Sequence, residues 1–163
     1  MISSAWPNYS EMGLEILDEN TWLAVGRIDG PRNRMAQFIT RDAGRSWRLD
    51  GGLNLPEESD VNVAPMIDDV TIAGRKVLLP SYCVRRPKVC WLRAGAPDRV
   101  AAGPQKWGRS LQFDRDFFGR SGYQSFAPGR DGKGLVGALV RERSDKKADI
   151  VVFRIPSLTG LAD

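Results

Sequence analysis

Between Thr40 and Trp47 the chain reads "TRDAGRSW", an acid, a glycine, a hydroxyl and a tryptophan at fixed offsets behind an apolar run. Such a set marks either a catalytic carboxylate or a structural turn. Composition narrows the chemistry that could be at stake. The chain has no histidine, which removes Ser-His and Cys-His nucleophile pairs and most zinc sites together. Acid-base work is left to Asp, Glu, Tyr, Lys or Cys, and neither a metal site nor a cofactor is expected. Cys83 and Cys90 bracket "VRRPKV", a separation that fits no CxxC redox or metal motif. They sit in two strand-like runs facing each other across a turn, so free buried thiols and a cross-strand disulfide both fit. Without an export signal, free thiols are the expectation.

The elements that would position these residues are short β-type runs punctuated by turns; long helical periodicity is hard to find. "TWLAVGRI" (21–28) and "MAQFIT" (35–40) flank the turn-rich "DGPRNR", and "RKVLLPSYCV" (75–84) and "VCWL" (89–92) repeat that arrangement across "RRPK". "GLVGALV" (134–140) and "DIVVFRI" (149–155) repeat it again across "RERSDKKA". The unit recurs three times, over about 8–55, 60–110 and 120–158, at the length of a four-stranded propeller blade. The expected fold is therefore all-β, a single domain (1–163) of about three four-stranded antiparallel blades, with a β-sandwich as the competing arrangement. In this setting "TRDAGRSW" falls at a turn into a fourth strand, "SWRLDGG". Asp42 can accept backbone N–H bonds there, Gly44 can take positive φ, and Trp47 can pack between neighbouring sheets. All three roles are structural.

The 163 residues suit one domain with a real core, and 27% charged with 42% hydrophobic residues is a globular composition. No apolar run approaches the ~20 residues needed to span a bilayer. The opening "MISSAWPNYSEMG" has neither a basic n-region nor an apolar h-region, so no membrane association and a cytoplasmic location are expected. A net charge of +4 with scattered arginines suits an anionic small ligand, and nucleic acid is not the expected partner.

The pattern Ser/Thr-x-Asp-x-Gly-x-Ser/Thr-Trp resembles the Asp box of bacterial neuraminidase (BNR) repeats in sialidase-type β-propellers, and "TRDAGRSW" fits it throughout. "LRAGAP" in the second unit is a degraded copy. The resemblance covers about residues 10 to 156 and corresponds to the C-terminal half of the six-bladed family fold. It implies roles for further residues. Glu11 falls at the catalytic glutamate, although the family's Gln two positions on is here Gly13, and Glu15 is the fallback. Arg27 falls at one arginine of the triad that grips the sialic acid carboxylate. Arg85 or Arg86 falls at another, with Arg85 preferred by spacing. Tyr123, in "GYQSFAPGRDGKG", falls at the nucleophile. "FRIP" (153–156) matches the motif carrying the family's first arginine, but its late strand makes Arg154 a coincidence.

Chemistry explains the grouping that the resemblance implies. Sialic acid carries a carboxylate on its anomeric carbon, which would repel a carboxylate nucleophile, so sialidases use a tyrosine. A neighbouring glutamate takes the phenolic proton, and arginines hold the substrate carboxylate through bidentate, charge-assisted bonds that lysine could not reproduce. Arg27, Arg85 and Tyr123 are therefore expected to converge, with Glu11 about 2.6 to 3.2 Å from the Tyr123 hydroxyl or one water away. The family's general acid and first triad arginine belong to the half this chain does not match. The implied function is a sialidase-like exo-glycosidase half, active if a second chain completes it, binding sialic acid or another anionic glycan. The alternative is a non-catalytic propeller module for glycan or protein binding. Three blades would leave two open faces, so a homodimer completing a six-bladed ring is expected.

Overall fold

"GLVGALV" and "DIVVFRI" are rich in the β-branched and apolar residues that favour strands, and both segments are strands; in the first, buried Leu135, Gly137 and Leu139 alternate with more exposed positions. The computed structural model describes residues 9–29, 34–53, 62–85, 88–116 and 121–158. It is all-β, with three antiparallel sheets. The first runs β1 (Tyr9–Ile16), β2 (Trp22–Ile28), β3 (Arg34–Thr40), β4 (Arg48–Gly52) in spatial as in chain order. The second is β5 (Asn62–Ile72), β6 (Arg75–Arg85), β7 (Lys88–Leu92), β8 (Leu111–Arg115), reaching beyond the expected end of that unit. The third is β9 (Ser121–Pro128), β10 (Leu135–Glu142), β11 (Ala148–Ile155). Among the described residues it has three strands, not the four expected, with β10 in the middle and residues 156–158 after β11 not in a strand.

The middle sheet is covered on both faces, which explains why consecutive residues of β6, from Val77 to Val84, are buried. Leu78, Tyr82 and Val84 face the first sheet and pack with Leu23, Val25, Met35 and Leu53. Val77 and Leu79, at the intervening positions, face the third sheet and pack with Phe126, Leu135 and Ile155. Each fully buried side chain of this size contributes about 1.5–3 kcal/mol. A ring cluster of Phe113, Phe126 and Phe153, with centroids 5.3 to 5.9 Å apart, joins the second sheet to the third. The first strand of each sheet lies against the next: β1 touches β5 and β5 touches β9. Gly13 makes the first approach possible, since a Cβ there would lie 2.7 Å from the backbone nitrogen of Ile67.

The degraded Asp-box segment does not form an Asp-box turn. The chain between β7 and β8 instead makes a long excursion with one turn of helix, α1 (Pro97–Val100), and a 3-10 turn at Pro104–Lys106. This excursion folds back on the first sheet. Buried Gln37 donates to the Val100 carbonyl (2.8 Å) and to Asp50 (2.9 Å), and accepts from the Trp107 indole (2.8 Å). Arg93 donates to the carbonyls of Leu53, Gly108 and Trp107. Cys83 and Cys90 stand opposite each other on β6 and β7 and form a disulfide, against the expectation of free thiols. Direct cross-strand pairing supplies the proximity that the sequence separation alone does not reveal. Among the described residues no helix is long and apolar enough to cross a membrane.

Candidate functional site

In the turn between β3 and β4, Asp42 spends both carboxylate oxygens on its own neighbours. Oδ1 accepts from the Ser46 amide (2.9 Å) and the Thr40 hydroxyl (2.7 Å), and Oδ2 accepts from the Ser46 hydroxyl (2.6 Å). The Thr40 hydroxyl accepts from the Gly44 amide in turn (3.0 Å). These bonds, led by those from Ser46, hold the Asp42 carboxyl down at about 2. Gly44 has φ +82, and a Cβ there would lie 2.7 Å from the Trp22 ring. Trp47 does not pack between sheets. It lies over the outer face of its own sheet against Ala24, Ala36 and Phe38, a face that no other sheet covers among the described residues. Asp42 has the geometry of a turn staple.

A different constellation forms where the first strands of the sheets meet. The β1–β2 register slips between Tyr9 and Met12, the β5–β6 register between Val63 and Met66, and the β9–β10 register at Ala138/Val140, opposite Tyr123. Each slip lies near the start of the first strand of its sheet. Bulges re-aim side chains, and here they serve Glu11 and Tyr123. Tyr123 has φ +51, a conformation that costs a non-glycine residue of order 1–3 kcal/mol, and the residue is 67% exposed. Its hydroxyl donates to Glu11 Oε1 at 3.4 Å. Arg27, at the far end of β2 and largely buried, donates through Nη1 to Glu11 Oε2 (2.8 Å) and through Nε to Asp29 (2.8 Å). The result is a chain of contacts, Tyr123 to Glu11 to Arg27 to Asp29, drawn from the first and third sheets.

The structure thus brings Glu11, Arg27 and Tyr123 together, with the tyrosine slightly beyond the expected direct range. Arg85 ends β6, and its side chain lies outside the described residues, as does Arg86 entirely. Glu15 is further along β1, among Asp68, Asp69 and Lys76; burial first, then Asp69, raises its carboxyl above the ordinary range against the pull of Lys76. Arg154 pairs with Asp131 on the surface. Sequence reasoning missed Asp29, although Arg27 and Asp29 are two apart along an extended segment and so share a face. It also missed Asp68 on β5, which accepts from the Ser125 hydroxyl (3.1 Å) and the Phe126 amide (3.2 Å), and whose carboxyl burial pushes up. Among the described residues no group of three or more His, Cys, Asp or Glu could hold a metal ion.

Chemically, the cluster offers a phenol whose proton has a carboxylate acceptor, beside a guanidinium whose Nη2 is used in neither ion pair. Among the described side chains of the cluster a carboxylate ligand would meet Arg27 beside Glu11 and Asp29, and those two acids weaken the grip of Arg27 on it. No protein-family model and no curated protein matches this chain.

Proposed function

We propose that the three sheets are blades of a half propeller of sialidase type, and that Glu11, Arg27 and Tyr123 form a binding site for sialic acid or a similar carboxylate sugar. The observation that carries the reading is the Tyr123–Glu11–Arg27 chain of contacts: a phenol, its proton acceptor and a guanidinium meet although they lie 112 and 16 residues apart. The Asp box supports it as a mark of the scaffold. In this reading the ligand carboxylate binds Arg27, placing the anomeric carbon near Tyr123. Attack by the phenolic oxygen would form a bond to that carbon, pass the phenolic proton to Glu11 Oε1, and release the glycosidic oxygen. The resemblance assigns the general acid that protonates the leaving oxygen to the half of the family fold this chain does not match. Binding therefore outlives catalysis, and hydrolysis by the isolated chain is slow or absent.

The non-catalytic reading draws on one further observation. Arg27 is already engaged by two carboxylates, an arrangement that holds a strand end as well as it holds a ligand. Calorimetric titration with sialic acid at millimolar concentration, together with a fluorogenic sialoside, separates the two. Heat abolished by Arg27→Ala with no turnover supports a binding module; turnover lost in Tyr123→Phe supports the glycosidase; no heat at all removes the carboxylate site.

A further inference from the structure

The sheets stack by one rule. The face of the first sheet that carries Leu23 and Val25 packs on the face of the second that carries Leu78 and Tyr82. The opposite face of the second, with Val77 and Leu79, packs in turn on the third. Among the described residues this order leaves one face of each kind uncovered. On the first sheet Met12, Leu14 and Ile16 of β1 are exposed, flanking Ala24 and Gly26. On the third, Val136, Ile150 and Val152 lie on one face of β10 and β11, with the last two 77% and 67% exposed. Apolar side chains this exposed at alternate strand positions mark an interaction surface.

We infer that a second copy of this chain covers both faces, the β1 face of each copy packing on the β10–β11 face of the other about a two-fold axis. Three features select this occupant. The two faces are the two partners of an interface the chain already makes twice internally, so their meeting repeats a packing that exists. Every copy carries one of each, so a single two-fold satisfies all four at once. And the stack curves, because Tyr123 on the third sheet reaches Glu11 on the first past the intervening β5. The residues named are apolar at the centre, with the Arg154–Asp131 pair toward one end, the distribution of a protein interface. The inference rests on the blade reading of the sheets but not on any ligand. The closed pair would hold six sheets, and each Tyr123–Glu11 centre would face its own copy across the axis.

Sedimentation or light scattering of the whole chain at micromolar concentration tests it, with circular dichroism to verify folding. The expected species is twice the 18.1 kDa chain. Leu14→Lys and Val136→Glu, both at exposed positions, should each weaken self-association at least about tenfold. Mixing the two variants should restore the dimer, since one seam then carries no substitution and the other sets Lys against Glu. A monomeric wild type overturns the inference. So does a dimer that survives Leu14→Lys but not Val136→Glu, which would join like faces, and so does growth into ever larger species with concentration. A dimer that binds no sialic acid leaves the assembly intact and defeats only the ligand reading.

Discussion

Asp42 and Glu11 are both carboxylates that accept from a hydroxyl, yet they belong to different kinds of structure. Thr40 and Ser46, which donate to Asp42, lie within four residues of it, so the turn is stapled by its own sequence. Glu11 reaches Arg27 16 residues away and Tyr123 112 residues away, through a tyrosine held at positive φ and largely exposed. Local closure spends hydrogen-bonding capacity on the fold. Long-range assembly around a strained, open side chain keeps that capacity near a surface that a ligand can reach, at some cost in stability.

Substitutions should therefore act in opposite directions in the two regions. Gly44→Val has the largest expected effect, because it adds a Cβ against Trp22 at a φ that β-branched residues avoid; a loss of about 3 kcal/mol should appear in chemical denaturation. No stability change would mean the turn is soft and the contrast false.

Acid should next distinguish the two carboxylates. The folded carboxyl of Asp42, at about 2, lies below its ordinary value, so its ionised form favours folding above about pH 4 and that contribution is lost as pH falls toward about 2. Asp42→Asn should flatten that limb of a stability-versus-pH curve. Glu15 and Asp68, raised by burial, act with the opposite sign, disfavouring the fold as they ionise on raising the pH.

At Tyr123 a gain is expected. Tyr123→Gly relieves the positive φ and should stabilise the chain by about 1 kcal/mol while removing any turnover; a thermal melt showing destabilisation would reveal packing that the exposure of the residue does not suggest. Smallest is Tyr123→Phe, which keeps backbone and ring and should change stability by less than about 0.5 kcal/mol. Sialic acid should still bind it, which titration monitored by NMR would register.

What could be read in advance divides along the same line. The hairpins and the "TRDAGRSW" turn were legible because alternation and turn chemistry are local. Tyr123 and Glu11 were reached only through a family resemblance, since no local signal connects positions 11 and 123. The Gln37–Trp107 pair was not legible: it depends on the 93–110 excursion crossing back to the first sheet, where a degraded Asp box had suggested an ordinary turn. The disulfide was misjudged because compartment, read from the lack of an export signal, was weighed above the register that sets Cys83 opposite Cys90. The three-stranded third sheet was likewise hidden, because repetition predicts a fourth strand that the described residues do not supply.

The clasp of Arg93 on the Leu53, Gly108 and Trp107 carbonyls has a consequence for how the chain comes apart. It fastens the loop of the second sheet to the end of the first through backbone acceptors, whereas the third sheet meets the second through apolar packing on Val77 and Leu79, the phenylalanine cluster, and side-chain contacts such as those to Asp68 and from Arg141 to Asp114. The first two sheets should therefore open as one cooperative unit and the third should release earlier. Amide protons of β10 should then exchange with solvent sooner than those of β2 and β6, and Arg93→Ala should erase the difference by letting the first sheet loosen as well.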